Sequence, residues 1–202
     1  MEYFSFGPYL QQCRTLRINE MASCRRALVY GDGDGRFLSQ LSQRFPDIQV
    51  ATLDASREML RRAAQRLPSG AHVRLVQADA LEYDPSDLPE APLDLIVTHF
   101  FLDCFNEAEI MSLLSRVNRA AQERALWVVS EFAIPQRNPA RLAGKLIVHA
   151  LYLAFGFLTR LRPRRLPDYG RVMRDAGWEL EDRRKLLLGV LVSERWCRCV
   201  SR

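Results

Sequence analysis

The sequence predicts an α/β three-layer sandwich on a mostly parallel sheet, and three observations carry that expectation. Short apolar segments alternate with segments of helical periodicity from residue 27 to residue 132. The first apolar segment breaks into glycines at alternate positions, Gly31, Gly33 and Gly35. The second and third run into acids, Asp54 and Asp79. Such alternation covers both faces of a parallel sheet with helices and leaves the ligand outside the carboxyl ends of the strands.

The elements follow in order. ALVYGDGDGRFL (27–38) reads as strand, tight loop and helix start, with glycines where backbone must turn at unusual φ/ψ and come close to a ligand. IQVATLD (48–54) alternates Ile48, Val50 and Leu53 ahead of Asp54, an acid placed to accept hydrogen bonds from a ribose diol. In the next segment Met59, Leu60, Ala63, Ala64 and Leu67 fall at helical spacing, and Ser56 stands ready to cap the first turn. HVRLVQAD (72–79) is a third strand and LDLIVTHF (93–100) a fourth. The helix signal Asn106-Glu107-Ala108-Glu109 comes next, then a fifth strand, ALWVVSEF (125–132). Near the end, Pro167 or Asp168 starts a helix that Gly177 stops, and two further strands flank Gly189.

This sequence resembles the class I S-adenosylmethionine-dependent methyltransferases. The resemblance rests on GDGDG (31–35), LDASREML (53–60) and QADA (77–80), and it covers about residues 27 to 135. It implies a Rossmann-like three-layer sandwich, with a seven-stranded sheet whose last strand is antiparallel. It also implies methyl transfer from S-adenosyl-L-methionine. The glycine loop would pack on the amino-acid part of the cofactor, Asp54 would hold the ribose hydroxyls, and Asp79 would lie near the adenine amino group. By position the cofactor residues are Tyr30, Gly31, Asp32, Gly33, Gly35, Asp54, Ala55, Asp79, Ala80 and Thr98. One departure stands out. The family usually carries an acid two residues before the first glycine, where this chain has Val29. Asp32 or Asp34 then offers itself to the cofactor's ammonium group, or both are solvated loop residues.

Rival chemistries on the same fold fit less well. The dinucleotide fingerprint G-x-G-x-x-G needs a third glycine where Arg36 stands, and no Lys-Ser or Lys-Thr follows the loop to reach phosphates. Five cysteines form no C-x-x-C pair, so neither a metal site nor a disulfide framework is expected.

The length of 202 residues suits a single domain over residues 1–202, with residues 1–26 as a cap segment and 136–170 as a lid-like helical insertion. Tyr3, Phe4, Phe6 and Tyr9 in the cap are placed to close the pocket, or to form a surface contact. No basic region leads into an apolar run at the start, so a cytoplasmic location is the expectation.

Charge is uneven. Through residue 133 there are 14 Lys or Arg against 18 Asp or Glu, and beyond it 15 against 6. In this basic third LAGKLIVHALYLAFGFL (142–158) carries Lys145, His149 and Tyr152 on one helical face, followed by Arg160, Arg162, Arg164 and Arg165. The stretch is too short and too interrupted for a membrane span. It is read as a lid with its polar stripe toward the pocket, or as a peripheral contact with an anionic membrane surface. Nucleic acid is not favoured, because the arginines lack interleaved aromatics.

Catalysis is less specified than cofactor binding. Methyl transfer is an in-line displacement that profits from alignment, and a general base helps a hydroxyl acceptor. His99, with Asp103 orienting it, is the candidate base; otherwise His99 is a hydrogen-bonded strand-end residue. Phe100, Glu131, His149 and Tyr152 are candidate acceptor-facing residues. The acceptor expected is small and apolar or aromatic, of quinone-, polyketide- or lipid-like character. The competing reading is a non-catalytic binding or assembly protein that keeps the cofactor fold.

Overall fold

The computed structural model describes residues 7–133 and 167–198. The expectations for Tyr3, Phe4 and Phe6, for the apolar stretch with Lys145, His149 and Tyr152, and for the arginines at 160–165 lie outside the described residues.

Among the described residues seven strands make one sheet: β1 (Arg26–Tyr30), β2 (Gln49–Asp54), β3 (Val73–Gln77), β4 (Leu93–His99), β5 (Ala121–Phe132), β6 (Trp178–Leu186) and β7 (Leu191–Arg198). Their order is β3-β2-β1-β4-β5-β7-β6. Strands β1 to β5 pair in parallel, while β7 runs antiparallel to both β5 and β6. The hairpin turn at Leu187–Gly189 is where the sequence placed Gly189. The sheet order steps outward from β1 in both directions, toward β2 and toward β4. That reversal opens a crevice at their carboxyl ends, the usual ligand position in such sheets.

Side-chain alternation along β1 and β4 divides the core. Ala27, Val29, Leu95 and Val97 meet Phe37, Leu38 and Leu41 of helix α2 (Arg36–Arg44) and Ala63 of α3 (Arg57–Arg66). On the opposite face Leu28, Tyr30, Ile96, Trp127 and Val129 meet Ile110, Leu113, Leu114 and Val117 of α4 (Glu107–Ala120), and Val172 and Met173 of α5 (Tyr169–Asp175). Val29 is therefore a fully enclosed core residue. A carboxylate at that depth would lose its hydration, so Val29 fits the α2 layer as built.

The local signals act as read. The Ser56 hydroxyl accepts the Met59 N–H at 3.3 Å and starts α3. At the head of α4 the Asn106 side chain accepts the Glu109 N–H at 3.0 Å, and the Glu109 carboxylate accepts the Asn106 N–H at 2.8 Å. This reciprocal box satisfies donors that helix geometry leaves open. Asp168 caps α5 by accepting the Arg171 N–H at 3.0 Å. Strand β5 begins earlier than the expected 125, at Ala121, with Arg124 at φ +62° and a shift of register between Leu93 and Leu95. An irregularity of this kind leaves no alternation for a sequence pattern to show.

Helix α1 (Gly7–Thr15) packs Leu10 and Cys13 on Phe132, Val190 and Leu191. The fully buried Arg17 joins this segment to the hairpin, donating to the Asp182 carboxylate at 2.8 Å and to the Ser193 carbonyl at 2.9 Å. The four described cysteines are unpaired, and no cluster of His, Cys, Asp and Glu among the described residues suits a metal. No helix among them is long and apolar enough to cross a membrane.

Candidate active site

The loop after β1 is built from three left-handed glycines, at φ +59°, +64° and +81° for Gly31, Gly33 and Gly35. A Cβ on Gly35 would sit 2.5 Å from the Ala63 Cα, so close packing of α3 requires glycine there. Gly33 differs: nothing lies within 4 Å of where its Cβ would be. The loop thus offers bare backbone to an open cradle at Gly33 while α3 supports it from behind.

The two loop acids have unlike roles. Asp34 pairs with Arg36 at 3.0 Å and with Arg66 at 2.9 Å, which ties the loop to α2 and α3. Asp32 is buried, and its Oδ2 accepts the Leu38 N–H at 3.0 Å, serving as a remote cap for α2. Its Oδ1 is buried without a hydrogen-bond partner. Burial pushes the carboxyl up to about 7, against the pull of the Leu38 amide and of Arg14. Neither acid is a merely solvated loop residue, which corrects that alternative.

Asp54 stands at the end of β2, half-buried, with Oδ1 accepting the Ser56 N–H at 2.8 Å. Burial raises its carboxyl while backbone donors of Ser56 and Gly33 oppose the rise, so the acid borders the glycine cradle. Next to it Ala55 is exposed. Beyond β3, Asp79 is exposed and accepts the Leu81 N–H at 2.8 Å in an Asx-type turn, and Ala80 is buried in the core. Asp54, Asp79 and the loop thus cluster at the carboxyl ends of three adjacent strands.

The ends of β4 and β5 complete the crevice. Thr98 is fully buried and accepts the Trp127 indole N–H at 3.0 Å, so its hydroxyl is engaged in the core. His99 is also buried and meets Phe37 edge to face at 4.6 Å between centroids. Neither of its ring nitrogens has a hydrogen-bond partner. Burial, then Arg14, holds the imidazole well below the usual histidine range. The expected His99–Asp103 pair is not formed. His99 shares the α2 face with Val97, and strand alternation turns it away from Glu131, which shares its face with Trp127 and Val129.

Glu131 is fully buried, and its Oε1 accepts the N–H groups of Phe101 at 3.0 Å and Leu102 at 2.7 Å. Burial and then the Asp103 carboxylate push it well above the usual carboxylate range. Phe101 stacks on Tyr30 at 5.4 Å and meets Phe105 at 5.0 Å, while Phe100 packs on Phe132 at 4.8 Å. The Tyr30 ring is buried among these, and its hydroxyl has no partner. Of the candidate acceptor-facing residues, Phe100 packs on Phe132 while Glu131 holds the backbone of Phe101 and Leu102, and His149 and Tyr152 lie outside the described residues.

Three residues at this end gave no signal in sequence. Arg14 of α1 lies over the Phe100 ring at 5.5 Å, and Glu194 of β7 is a buried acid accepting the Trp196 indole N–H at 2.8 Å. Tyr169 of α5 lies against Glu194. Only the fold brings these distant segments together. A basic residue in the last turn of a helix is otherwise read as complementing its dipole.

Residues 27–124 match the model of a methyltransferase-domain family. Trans-aconitate 2-methyltransferase of Azoarcus sp. (strain BH72) is 31% identical over 163 residues, covering 73% of this chain and 62% of that protein's length. Among solved structures, mitomycin 7-O-methyltransferase MmcR superposes with a TM-score of 0.74 at 15% identity, over 96% of this chain and 55% of that one. The N-methyltransferase NodS from Bradyrhizobium japonicum WM9, in complex with S-adenosyl-L-homocysteine, gives a TM-score of 0.64 at 13% identity, over 97% and 89%. The residues present fit that family's cofactor, S-adenosylmethionine: an open cradle at Gly33, a half-buried acid beside it, and an orphaned acidic oxygen on Asp32. The β1 loop, the acid-tipped strands and the antiparallel final strand agree with the match over residues 27–124, and the chain is similar to the class I S-adenosylmethionine-dependent methyltransferases.

Proposed function

We propose that the protein transfers the methyl group of S-adenosylmethionine to a small, apolar or aromatic acceptor of quinone-, polyketide- or lipid-like character. The observation that carries this reading is the aromatic pair Phe101 and Phe105 beyond the carboxyl end of β4, with the Phe101 ring against Gly31 of the glycine loop. A flat apolar acceptor gains both area burial and ring contacts against such a wall.

When bound, the cofactor supplies an electrophilic methyl carbon on a positively charged sulfur. The chain's own residues bind and orient. The Gly33 backbone admits close approach, Asp54 accepts hydroxyl donors of the ribose, and Asp32 Oδ1 accepts the ammonium group. His99 takes no part as a base, because its ring is enclosed on the α2 face. Catalysis rests on alignment of acceptor and methyl carbon in a water-poor crevice.

A second reading has its own support. The curated relative is named for trans-aconitate, and the carboxyl-terminal third of this chain carries 15 Lys or Arg against 6 Asp or Glu, which suits an acidic acceptor. Transfer of labelled methyl from S-adenosylmethionine, scored against hydroquinones, phenols, hydroxylated lipids and trans-aconitate, separates the readings. Label in the aromatic or lipid acceptors supports the first, and label in trans-aconitate alone supports the second. Saturable cofactor binding without turnover on any acceptor supports a binding or assembly role.

A further inference from the structure

We propose that Glu131 is a positioning residue for cofactor binding, acting through Phe101; this role rests on the glycine loop being the cofactor site. One carboxylate oxygen, Oε1, accepts two consecutive backbone N–H groups, at 3.0 Å from Phe101 and 2.7 Å from Leu102. These are the second and third residues after β4 ends at His99. There the Phe100 N–H is held by the Ser130 carbonyl at 2.7 Å, and Phe100 itself is left-handed at φ +54°. A bulky residue keeps such a backbone only where its surroundings impose it.

The product of this imposed turn is the place of one ring. A Cβ on Gly31 would lie 2.7 Å from the Phe101 Cδ2, so the ring closes directly on the first glycine of the loop. Tyr30, the last residue of β1, stacks on its face at 5.4 Å. Glu131 on β5 therefore sets the wall of a loop that follows β1, two strands away in the sheet. Without the carboxylate, two N–H groups in a mostly buried turn lose their acceptor, Phe100 is released, and the ring leaves Gly31. The other oxygen, Oε2, is buried without a hydrogen-bond partner, so the hold on the turn runs through Oε1. A glutamine keeps that acceptor and places its amide N–H₂ where the carboxylates of Asp103 and Glu194 act on this site.

The test is a cycle of variants read by calorimetric binding of S-adenosylhomocysteine. Glu131→Gln binds within about twofold of wild type, and Glu131→Leu binds about tenfold more weakly. Phe101→Leu loses a similar factor, and the double variant loses no more than either single one, because both changes break one path. Additive losses of about a hundredfold in the double variant would overturn the role. So would unchanged affinity in Glu131→Leu, or a Gln variant as weak as the Leu variant. Amide exchange of the wild-type protein adds a readout independent of variant folding: the Phe101 and Leu102 amides exchange slowly, and fast exchange overturns the proposal. A wild-type protein that fails to bind S-adenosylhomocysteine overturns the cofactor reading itself, and this role with it.

Discussion

Asp32 reaches across the glycine loop to accept the Leu38 N–H at 3.0 Å, so the carboxylate that caps α2 keeps one oxygen, Oδ1, buried and without a hydrogen bond. The groups that act on it are Arg14, Asp34 and the amides of Phe37 and Leu38. With its carboxyl raised to about 7 from an unfolded value near 3.8, the native state holds a proton there that the unfolded chain has released. Asp32 therefore costs stability progressively as pH rises from about 4 to about 7.

Binding has the opposite sign. An ammonium group beside Oδ1 favours the ionised acid, so S-adenosylhomocysteine binding tightens as pH rises toward about 7 and releases a proton below it. Calorimetry in buffers of different ionisation enthalpy measures that proton. Affinity falls by up to about tenfold per pH unit below the apo value, and Asp32→Asn flattens the profile. A profile unchanged in Asp32→Asn removes Asp32 from the ammonium site.

Gly33 and Gly35 share a left-handed backbone yet separate binding from stability. Gly35→Ala drives a methyl against the Ala63 backbone and destabilises the fold by about 2 kcal/mol or more, read as a lowered denaturation midpoint. Gly33→Ala meets no atom within 4 Å and costs only the conformational penalty of about 1–2 kcal/mol. Its methyl nevertheless occupies the cradle, and cofactor affinity drops by more than tenfold. Equal binding losses in the two variants, scaled to stability, would show that the cradle is misplaced.

His99→Leu tests the correction at the end of β4. The imidazole is buried with two unpartnered nitrogens, and its affinity for a proton is held well below the usual value of 6.5. The unfolded chain takes up a proton below that value while the native state does not, so His99 destabilises the fold as pH falls through about 6.5. Leucine of similar size removes this acid sensitivity and raises stability at pH 5 by about 1–3 kcal/mol, with methyl transfer retained. Loss of turnover in a folded His99→Leu protein would restore the histidine to the chemistry.

The capping residues Ser56, Asn106 and Glu109 were legible because a helix start is a local event, decided within four residues. The alternate glycines were legible because left-handed backbone excludes most other residues. The face of His99 was not. Strand β4 is buried on both sides, so its run of apolar residues carries no contrast to fix which parity meets α2. The full burial of Arg17, Glu131 and Glu194 was not legible either. Their partners lie on distant segments, and each buried charge is accommodated only after the sheet has assembled. Val29 looked like a missing acid until packing against α2 gave it a place in the core.

The account stands on cofactor binding at the ends of β1 and β2, and a calorimetric titration of S-adenosylhomocysteine into wild-type protein and Asp54→Ala tests it most directly. The wild type binds at one saturable site. The variant stays folded and binds roughly tenfold or more weakly, because a charged acceptor for the ribose hydroxyls is lost, worth about 1.5–3 kcal/mol. No binding by the wild type, or equal affinity in both proteins, would contradict the account.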